Sequence, residues 1–246
     1  MRLFIKLGVD NLSLPVHYNH YQQALIYNWI NDEYYQSFLH DVGFKADKST
    51  FKMFTFSKFF GNYNYNKDTK MITFTDKIWF TLSSPNDKFL EYIIDKILFT
   101  KKYLLNRQGV QVEDIKYSKF SPSKGLEVET KSPITAHVSL KENNKTKTRY
   151  LSPADIEFNE IIRSNLIRKF EAFYGCEPQD GNFTIKPSDG RLKMTISNYK
   201  GFIIKGWEGK FYISGSPDLL KIGYDAGLGA RNSMGFGLVE KIRNFV

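Results

Sequence analysis

Residues 2–31 read RLFIKLGVDNLSLPVHYNHYQQALIYNWIN. From Arg2 to Gly8 polar and apolar side chains alternate, which is the period of a half-buried β-strand. Pro15 closes the loop that follows. Apolar residues then recur at the spacing of one helix face, at Ala24, Leu25, Tyr27 and Ile30. The segment therefore predicts a strand followed by a helix.

The pattern continues through a first unit of about half the chain. A short helical stretch ends near His40, after which residues 51–56 (FKMFTF) and 71–82 read as strands rich in Phe, Ile and Thr. Pro85 opens a second helix, and residues 112–120 give a last strand. The order β-α-β-β-α-β is that of a ferredoxin-like unit.

After the linker-like turn SPSKG at 121–125 the pattern restarts. Helices are predicted at about 152–174 and from Ser216, and strands at 126–130, 134–140, 182–186, 192–197, 201–206, 210–214 and 236–242. The second half approximates the element order of the first without clear sequence identity. We therefore expect an α+β fold of two tandem ferredoxin-like (RRM-like) domains, residues 1–120 and 121–246.

Composition favours nucleic-acid binding without deciding it. The chain has 246 residues, a formal net charge of +9, 21 Phe and 15 Tyr. Positive charge and aromatic rings are what single-stranded RNA recognition uses. Solubility alone also explains a positive net charge, and Phe is mostly a core residue.

Cysteine and histidine usage bounds the chemistry. Cys176 is the only cysteine, which excludes an internal disulfide, and the four histidines form no HExxH pattern. We expect chemistry without metal or cofactor. The first strand begins directly, and no apolar run approaches the ~20 residues of a membrane span, so a cytoplasmic protein is expected.

The glycine-rich run at 227–237 reads GLGARNSMGFG. Glycine has no Cβ and tolerates positive φ, so such a backbone can approach a phosphate closely. A dinucleotide fingerprint needs a third glycine where Asn232 stands, and a Walker-type loop needs Lys where Phe236 stands. The run predicts an anion-binding loop of another kind, with a purely structural turn as the alternative.

Residues 227–240, GLGARNSMGFGLVE, resemble the C-terminal signature of the CRISPR-associated endoribonucleases that mature precursor CRISPR RNA. These form the sixth Cas family of the repeat-associated mysterious protein superfamily. The segments LPVHYNHYQQALIYNWI, LHDVGF and FKMFTFS are also similar to this family. The resemblance implies metal-independent RNA cleavage in which a ribose 2′-OH attacks the adjacent phosphorus, leaving a 2′,3′-cyclic phosphate and a 5′-OH.

The resemblance also implies three catalytic residues, which are Tyr27 in LIYN, His40 in FLHDV and Lys52 in FKMFTFS. An imidazole with a pKa near ~6.5 suits proton transfer at neutral pH. A lysine charge stabilises the phosphorane, and Tyr27 positions the 2′-OH or shares proton transfer.

Other residues in the same segments compete for these roles. Lys45 and Lys48 are alternatives to Lys52, and His17 and His20 are alternatives to His40. Each predicted catalytic residue also has a purely structural reading, as a core or solvated side chain.

For RNA binding we expect the glycine-rich loop to contact phosphates through its backbone amides. The residues assigned to this contact are Gly227, Gly229, Arg231, Asn232, Ser233, Gly235 and Gly237. The basic loop at 141–149 is a second candidate surface.

The expected partner is a CRISPR repeat RNA, with an interference complex as recipient of the product, and the protein acting as monomer or homodimer. Two alternatives remain open. One is a non-catalytic RNA-binding scaffold subunit of a CRISPR effector complex, which has no need of His40. The other is a ferredoxin-like protein that binds other proteins.

Overall fold

The computed structural model describes residues 1–122, 125–142 and 145–242. Its described residues form two larger antiparallel sheets, each with its own helices and its own apolar core, and three two-stranded hairpins. None of the described helices is both long and apolar enough to cross a membrane. The predicted α+β class is confirmed.

The first half contains an antiparallel sheet and its helices. Its elements are β1 (Arg2–Val9), β2 (Leu12–Pro15), α1 (Asn19–Asn28), α2 (Glu33–Ser37), a π-helical turn (Phe38–Val42), β3 (Phe44–Ala46), β4 (Ser49–Phe51), β5 (Thr55–Phe56), β6 (Phe60–Asn66), β7 (Met71–Ser83), α3 (Asp87–Phe99), β8 (Lys102–Leu105) and β9 (Gln108–Ser118). The strand order is β6-β7-β1-β9-β8, with β2 and β5 also paired to β7. The alternating residues Leu3, Ile5 and Leu7 of β1 are fully buried. They belong to the same apolar core as the buried side chains of α1 and α3.

The second half contains a smaller antiparallel sheet and two separate hairpins. Its elements are β10 (Leu126–Thr130), β11 (His137–Glu142), β12 (Lys145–Tyr150), α4 (Glu157–Tyr174), β13 (Phe183–Pro187), β14 (Lys193–Tyr199), β15 (Phe202–Glu208), β16 (Lys210–Gly215), α5 (Pro217–Ala226), a 3₁₀ turn (Asn232–Met234) and β17 (Val239–Lys241). The sheet order is β13-β16-β10-β17, and β11–β12 and β14–β15 form the hairpins. Ser123 and Lys124 of the predicted SPSKG turn lie outside the described residues.

One predicted strand is divided. The sequence predicts one continuous strand over residues 51–56. In the structure the strand is interrupted between Phe51 and Thr55, where Met53 has a φ of 54°. The break sends neighbouring side chains to different cores: Met53 is buried in the core of the second half, and Phe54 in that of the first. This segment therefore joins the two halves, and alternation of apolar residues alone could not reveal it.

Arg2 joins the first strand to the last elements of the chain. Its guanidinium is buried and donates to the carbonyl oxygens of Tyr224 and, at 2.7 Å, of Val239. It also stacks on the Tyr224 ring, 3.4 Å from the ring centre. The amine of Met1 pairs with Asp225 at 3.3 Å. The start of β1 is thereby held against α5 and β17.

We expect Arg2→Met to lower the free energy of unfolding by about 2 kcal/mol or more, because two buried carbonyls lose their donor. Urea denaturation followed by tryptophan fluorescence measures this. Arg191→Met is the matched control, since Arg191 is exposed. Equal unfolding midpoints for the two variants would contradict the assigned role of Arg2.

Candidate active site

Tyr27 and His40 face one another across a cavity of about 400 Å³ that also includes the tip of the β14–β15 hairpin. Tyr27 lies on α1, and its ring meets the imidazole of His40 edge to face with 6.2 Å between ring centres. His40 sits on the π-helical turn, a rare geometry that is frequent at functional sites. Gly43 ends this turn with a φ of 65° and donates its amide to Phe38 O at 2.7 Å.

Asp41 orients the His40 ring. Its Oδ1 lies 2.6 Å from His40 Nδ1. A carboxylate only accepts hydrogen bonds, so this contact requires the proton on Nδ1 and leaves Nε2 to exchange a proton. Sequence reasoning did not assign Asp41; its position next to His40 in FLHDV was the available signal.

Lys52, which follows β4, contacts the backbone of His40. Its ammonium donates to the backbone carbonyl of His40 at 2.7 Å. Partial burial lowers the pKa of Lys52, and the charge of Asp41 acts in the opposite direction. Burial raises the pKa of Tyr27 to about 12, so its hydroxyl stays protonated at neutral pH. The structure thus brings the three predicted catalytic residues together.

The alternatives differ in position. His20 lines the same cavity as His40, and Lys48 lines the neighbouring cavity that contains Lys52. Lys45 and His17 line neither of these cavities. His20 and Lys48 therefore remain alternatives on geometric grounds.

Most backbone amides of the glycine-rich loop donate hydrogen bonds within the protein. In the described chain, internal acceptors take the N–H groups of Gly227, Leu228, Ala230, Met234, Gly235, Phe236 and Gly237. Gly229 and Gly237 have φ values of 70° and 80°, and a Cβ there would collide with the carbonyl oxygens of Thr135 and Leu228 respectively. These two glycines are required for the loop to pack against its own protein.

Three consecutive amides of the loop are left over. Within the described residues, the N–H groups of Arg231, Asn232 and Ser233 have no internal acceptor. Arg231 is left-handed, with φ 61°, and leads into the 3₁₀ turn, a succession that aims adjacent amides at one point. Such a nest binds anions.

The side chains of Asn232 and Arg231 have different surroundings. The amide of Asn232 donates to Leu228 O and Phe236 O at 3.2 and 3.0 Å, which braces the loop from inside. Arg231 is exposed, and no carboxylate in the described ranges pairs with it. Asn232 is thus available to a ligand through its backbone, and Arg231 through its charge as well.

Lys169 on α4 holds the carbonyl side of the loop. Its buried ammonium donates to Gly227 O at 2.6 Å and to Gly229 O at 2.9 Å. Burial lowers the pKa of Lys169 to about 7. Sequence reasoning missed this residue, because a lysine on an amphipathic helix is ordinarily read as solvated.

The loop is also tied to the first half of the chain. Asn19 Nδ2 donates to Met234 O at 2.9 Å, and Thr55 Oγ1 donates to Phe236 O at 2.9 Å. Gln23 on α1 donates to Ser233 O and accepts from the hydroxyl of Tyr199. The loop, α1 and the β14–β15 hairpin are therefore connected by hydrogen bonds.

The cavity beside the loop is basic. It measures about 530 Å³, its lining includes no Asp or Glu, and its basic residues are Lys48, Lys52, His137, Lys169 and Arg231. A polyanion is the ligand that such a lining attracts. Of the basic loop at 141–149, Asn143 and Asn144 lie outside the described residues.

Comparison with known proteins gives matches over nearly the whole chain. The family described as CRISPR-associated protein Cas6, N-terminal, matches residues 13–116. The family described as CRISPR associated protein Cas6, C-terminal, matches residues 113–241.

Individual relatives match over the same length. The chain is 31% identical to the CRISPR-associated endoribonuclease Cas6 1 of Methanocaldococcus jannaschii, over 99% of this chain and 94% of that one. A Cas6-related protein of Pyrococcus furiosus has a similar structure, with a TM-score of 0.85, 26% identity and 98% of each chain covered. A structure described as a RAMP protein binding different RNA substrates gives a TM-score of 0.84 and 25% identity, covering 99% of this chain and 100% of that one.

The buried Lys169 predicts a specific dependence of stability on pH. Its folded pKa is about 7 and its ordinary value 10.5, so between these values the unfolded chain holds a proton that the folded chain has released. The free energy of unfolding therefore rises with pH through this window, by about 1.4 kcal/mol per pH unit for this group. Lys169→Met removes the contribution.

We expect the stability difference between wild type and Lys169→Met to change by about 2 kcal/mol from pH 7 to pH 9, in favour of wild type at the higher pH. Urea denaturation across this range measures it. Lys193→Met, at an exposed position, is the control and should run parallel to wild type. Parallel curves for Lys169→Met would refute a lowered pKa.

Proposed function

This chain belongs to the Cas6 family of CRISPR-associated endoribonucleases, and we propose that it binds CRISPR repeat RNA and cuts precursor CRISPR RNA once within each repeat. The observation that carries the proposal is the meeting of Tyr27, His40 and Lys52 beside the basic cavity of the glycine-rich loop. Groups for proton transfer and for phosphate binding thus lie in two neighbouring cavities, which the hydrogen bond from Lys52 to the His40 carbonyl connects.

We propose cleavage by the RNA's own 2′-hydroxyl. The 2′-oxygen loses its proton and bonds to the adjacent phosphorus while the bond from phosphorus to the 5′-oxygen breaks. The leaving 5′-oxygen takes a proton, so the products are a 2′,3′-cyclic phosphate and a 5′-hydroxyl. The reaction needs two proton transfers and stabilisation of the phosphorane, and no metal takes part in either step.

Each of the three residues fits one requirement. His40 transfers a proton through Nε2, because Asp41 occupies Nδ1. Tyr27 is held protonated and donates a hydrogen bond to the reacting oxygens. Lys52, fixed by the His40 carbonyl, contributes positive charge where negative charge develops.

Binding is assigned to the loop. We propose that the free amides of Arg231, Asn232 and Ser233 hold an RNA phosphate, with the Arg231 guanidinium as a second donor. Gly229 also has a free amide among the described residues, whereas Gly227, Gly235 and Gly237 act by shaping the loop.

We further propose that residues 1–120 and 121–246 are two ferredoxin-like domains. The strand orders β6-β7-β1-β9 and β13-β16-β10-β17 support this, since each corresponds to order 2-3-1-4 of a β-α-β-β-α-β unit. The separate cores of the two halves support it as well. The protein is expected in the cytoplasm, passing its product to an interference complex.

Cleavage of a labelled repeat RNA in EDTA tests the reaction. We expect wild type to cut, a substrate with a 2′-deoxyribose at the cut to resist, and His40→Ala to be about 100-fold slower or more. His17→Ala is the control histidine variant, because His17 lies outside the cavity. Tight binding without any cutting by wild type would instead favour an RNA-binding scaffold.

Affinity for the same RNA tests the loop. Arg231→Ala should weaken binding and reduce the slope of log K against log salt by about 0.7 to 0.9, as expected for one lost phosphate contact. Arg191→Ala, another exposed arginine, should leave the slope unchanged. An unchanged affinity and slope for Arg231→Ala would exclude the assignment.

A further inference from the structure

A third cavity, of about 830 Å³, lies between the β11–β12 and β14–β15 hairpins. Its aromatic and aliphatic walls include Tyr150, Tyr199, Phe202, Ile203 and Ile204, and its basic residues are Arg149, Lys200, Lys205 and Arg231. Its lining includes no Asp or Glu. Aromatic faces combined with positive charge form the surface that unpaired nucleotides bind.

Two of the apolar wall residues are exposed to solvent. The side chain of Phe202 is 74% exposed and that of Ile203 is 51% exposed, and neither belongs to an apolar core of the described chain. An exposed apolar side chain at a cavity that also has aromatic and basic walls marks a binding surface more often than an isolated one does. Phe202 is therefore a candidate contact for a ligand of this cavity.

The cavity adjoins both parts of the candidate active site. Lys200 lines it and also lines the cavity of Tyr27 and His40. Arg231 and Met234 line it and also line the basic cavity of Lys52. An RNA strand whose phosphate sits at Arg231 therefore has this cavity beside the next nucleotide.

The walls are held in place before any ligand arrives. The hydroxyl of Tyr150 donates to Ile203 O at 2.9 Å, and that of Tyr199 donates to Gln23. Lys200 and Gly201 form a tight turn with φ values of 49° and 88°, and Gly201 N donates to Asn198 Oδ1 at 2.9 Å. A preformed pocket binds without the cost of ordering loops.

We propose that this cavity holds one unpaired nucleobase of the RNA, flanking the scissile phosphate and stacked on Phe202. The proposal rests on the proposed function for the identity of the RNA. Four basic residues without an acidic neighbour in the lining favour a polyanion over an apolar protein segment as the occupant.

The test uses a synthetic CRISPR repeat RNA with a 2′-deoxyribose at the cut, so that binding is measured without cleavage. 2-Aminopurine replaces, one at a time, the nucleotides on either side of the cut. With wild type we expect fluorescence quenching at one of these positions, because the base stacks on an aromatic ring. Phe202→Leu should abolish that quenching and raise the Kd about tenfold, whereas Phe202→Trp should preserve both.

Phe99→Leu is the matched control, since Phe99 is 88% exposed at the end of α3 and lines none of the three cavities. The leucine and tryptophan variants both keep an apolar side chain, so a difference between them reports stacking. If Phe202→Leu left both quenching and affinity unchanged, the proposal would be overturned. This is also the result expected if a protein, and not RNA, occupies the cavity.

The proposed function is judged separately on the all-ribose RNA. Cutting of this RNA by wild type without any Phe202-dependent quenching would overturn the base pocket alone. Phe202-dependent quenching without cutting would overturn the proposed reaction and support the pocket. RNA that is neither bound nor cut would overturn both.

Discussion

The position of the glycine-rich loop depends on the hydrogen bonds that the ammonium of Lys169 donates to it. This ammonium sits inside the second half of the chain and bonds to two carbonyls of the glycine-rich loop. These bonds fix the start of the loop, and the amides of Arg231 to Ser233 that follow have no internal acceptor in the described chain. A lysine buried without a carboxylate partner is costly, as its lowered pKa expresses. The loop therefore gains a fixed orientation at the expense of stability near neutral pH.

The loop unites the two halves. From the second half it receives Lys169, and from the first half it receives Asn19, Gln23 and Thr55. Gln23 lies one turn of α1 from Tyr27, so the helix that carries a proposed catalytic group also fixes the proposed phosphate nest. Positioning through such short chains of hydrogen bonds preserves the distance between the two sites. Reaction geometry and binding geometry are consequently set by the same contacts.

Local periodicity was enough to predict the α+β class and most of the elements, because alternation in β1 and the apolar stripe of α3 directly reflect burial. It failed where one segment serves two cores, as at Met53 and Phe54. For the site, the resemblance supplied Tyr27, His40 and Lys52, which the fold brings together, and their roles stay predictions. The hydrogen bonds of Lys169, and the cavity proposed to hold a nucleobase, involve residues that are far apart in sequence, and no local sequence pattern predicts such contacts. The glycines were predicted for close approach to a phosphate, whereas Gly229 and Gly237 first of all allow close approach of the chain to itself.

Arg2 and the glycine-rich loop together impose an order on biosynthesis. Tyr27, His40 and Lys52 are translated well before Tyr224 and Val239, which accept hydrogen bonds from Arg2, and before the glycine-rich loop between those two acceptors. The contacts that Arg2 and α1 make with the second half of the chain therefore form only after most of the described residues have been synthesised. The attachment of β1 to α5 and β17, and of α1 to the glycine-rich loop, is thus a late step when this chain folds during its synthesis.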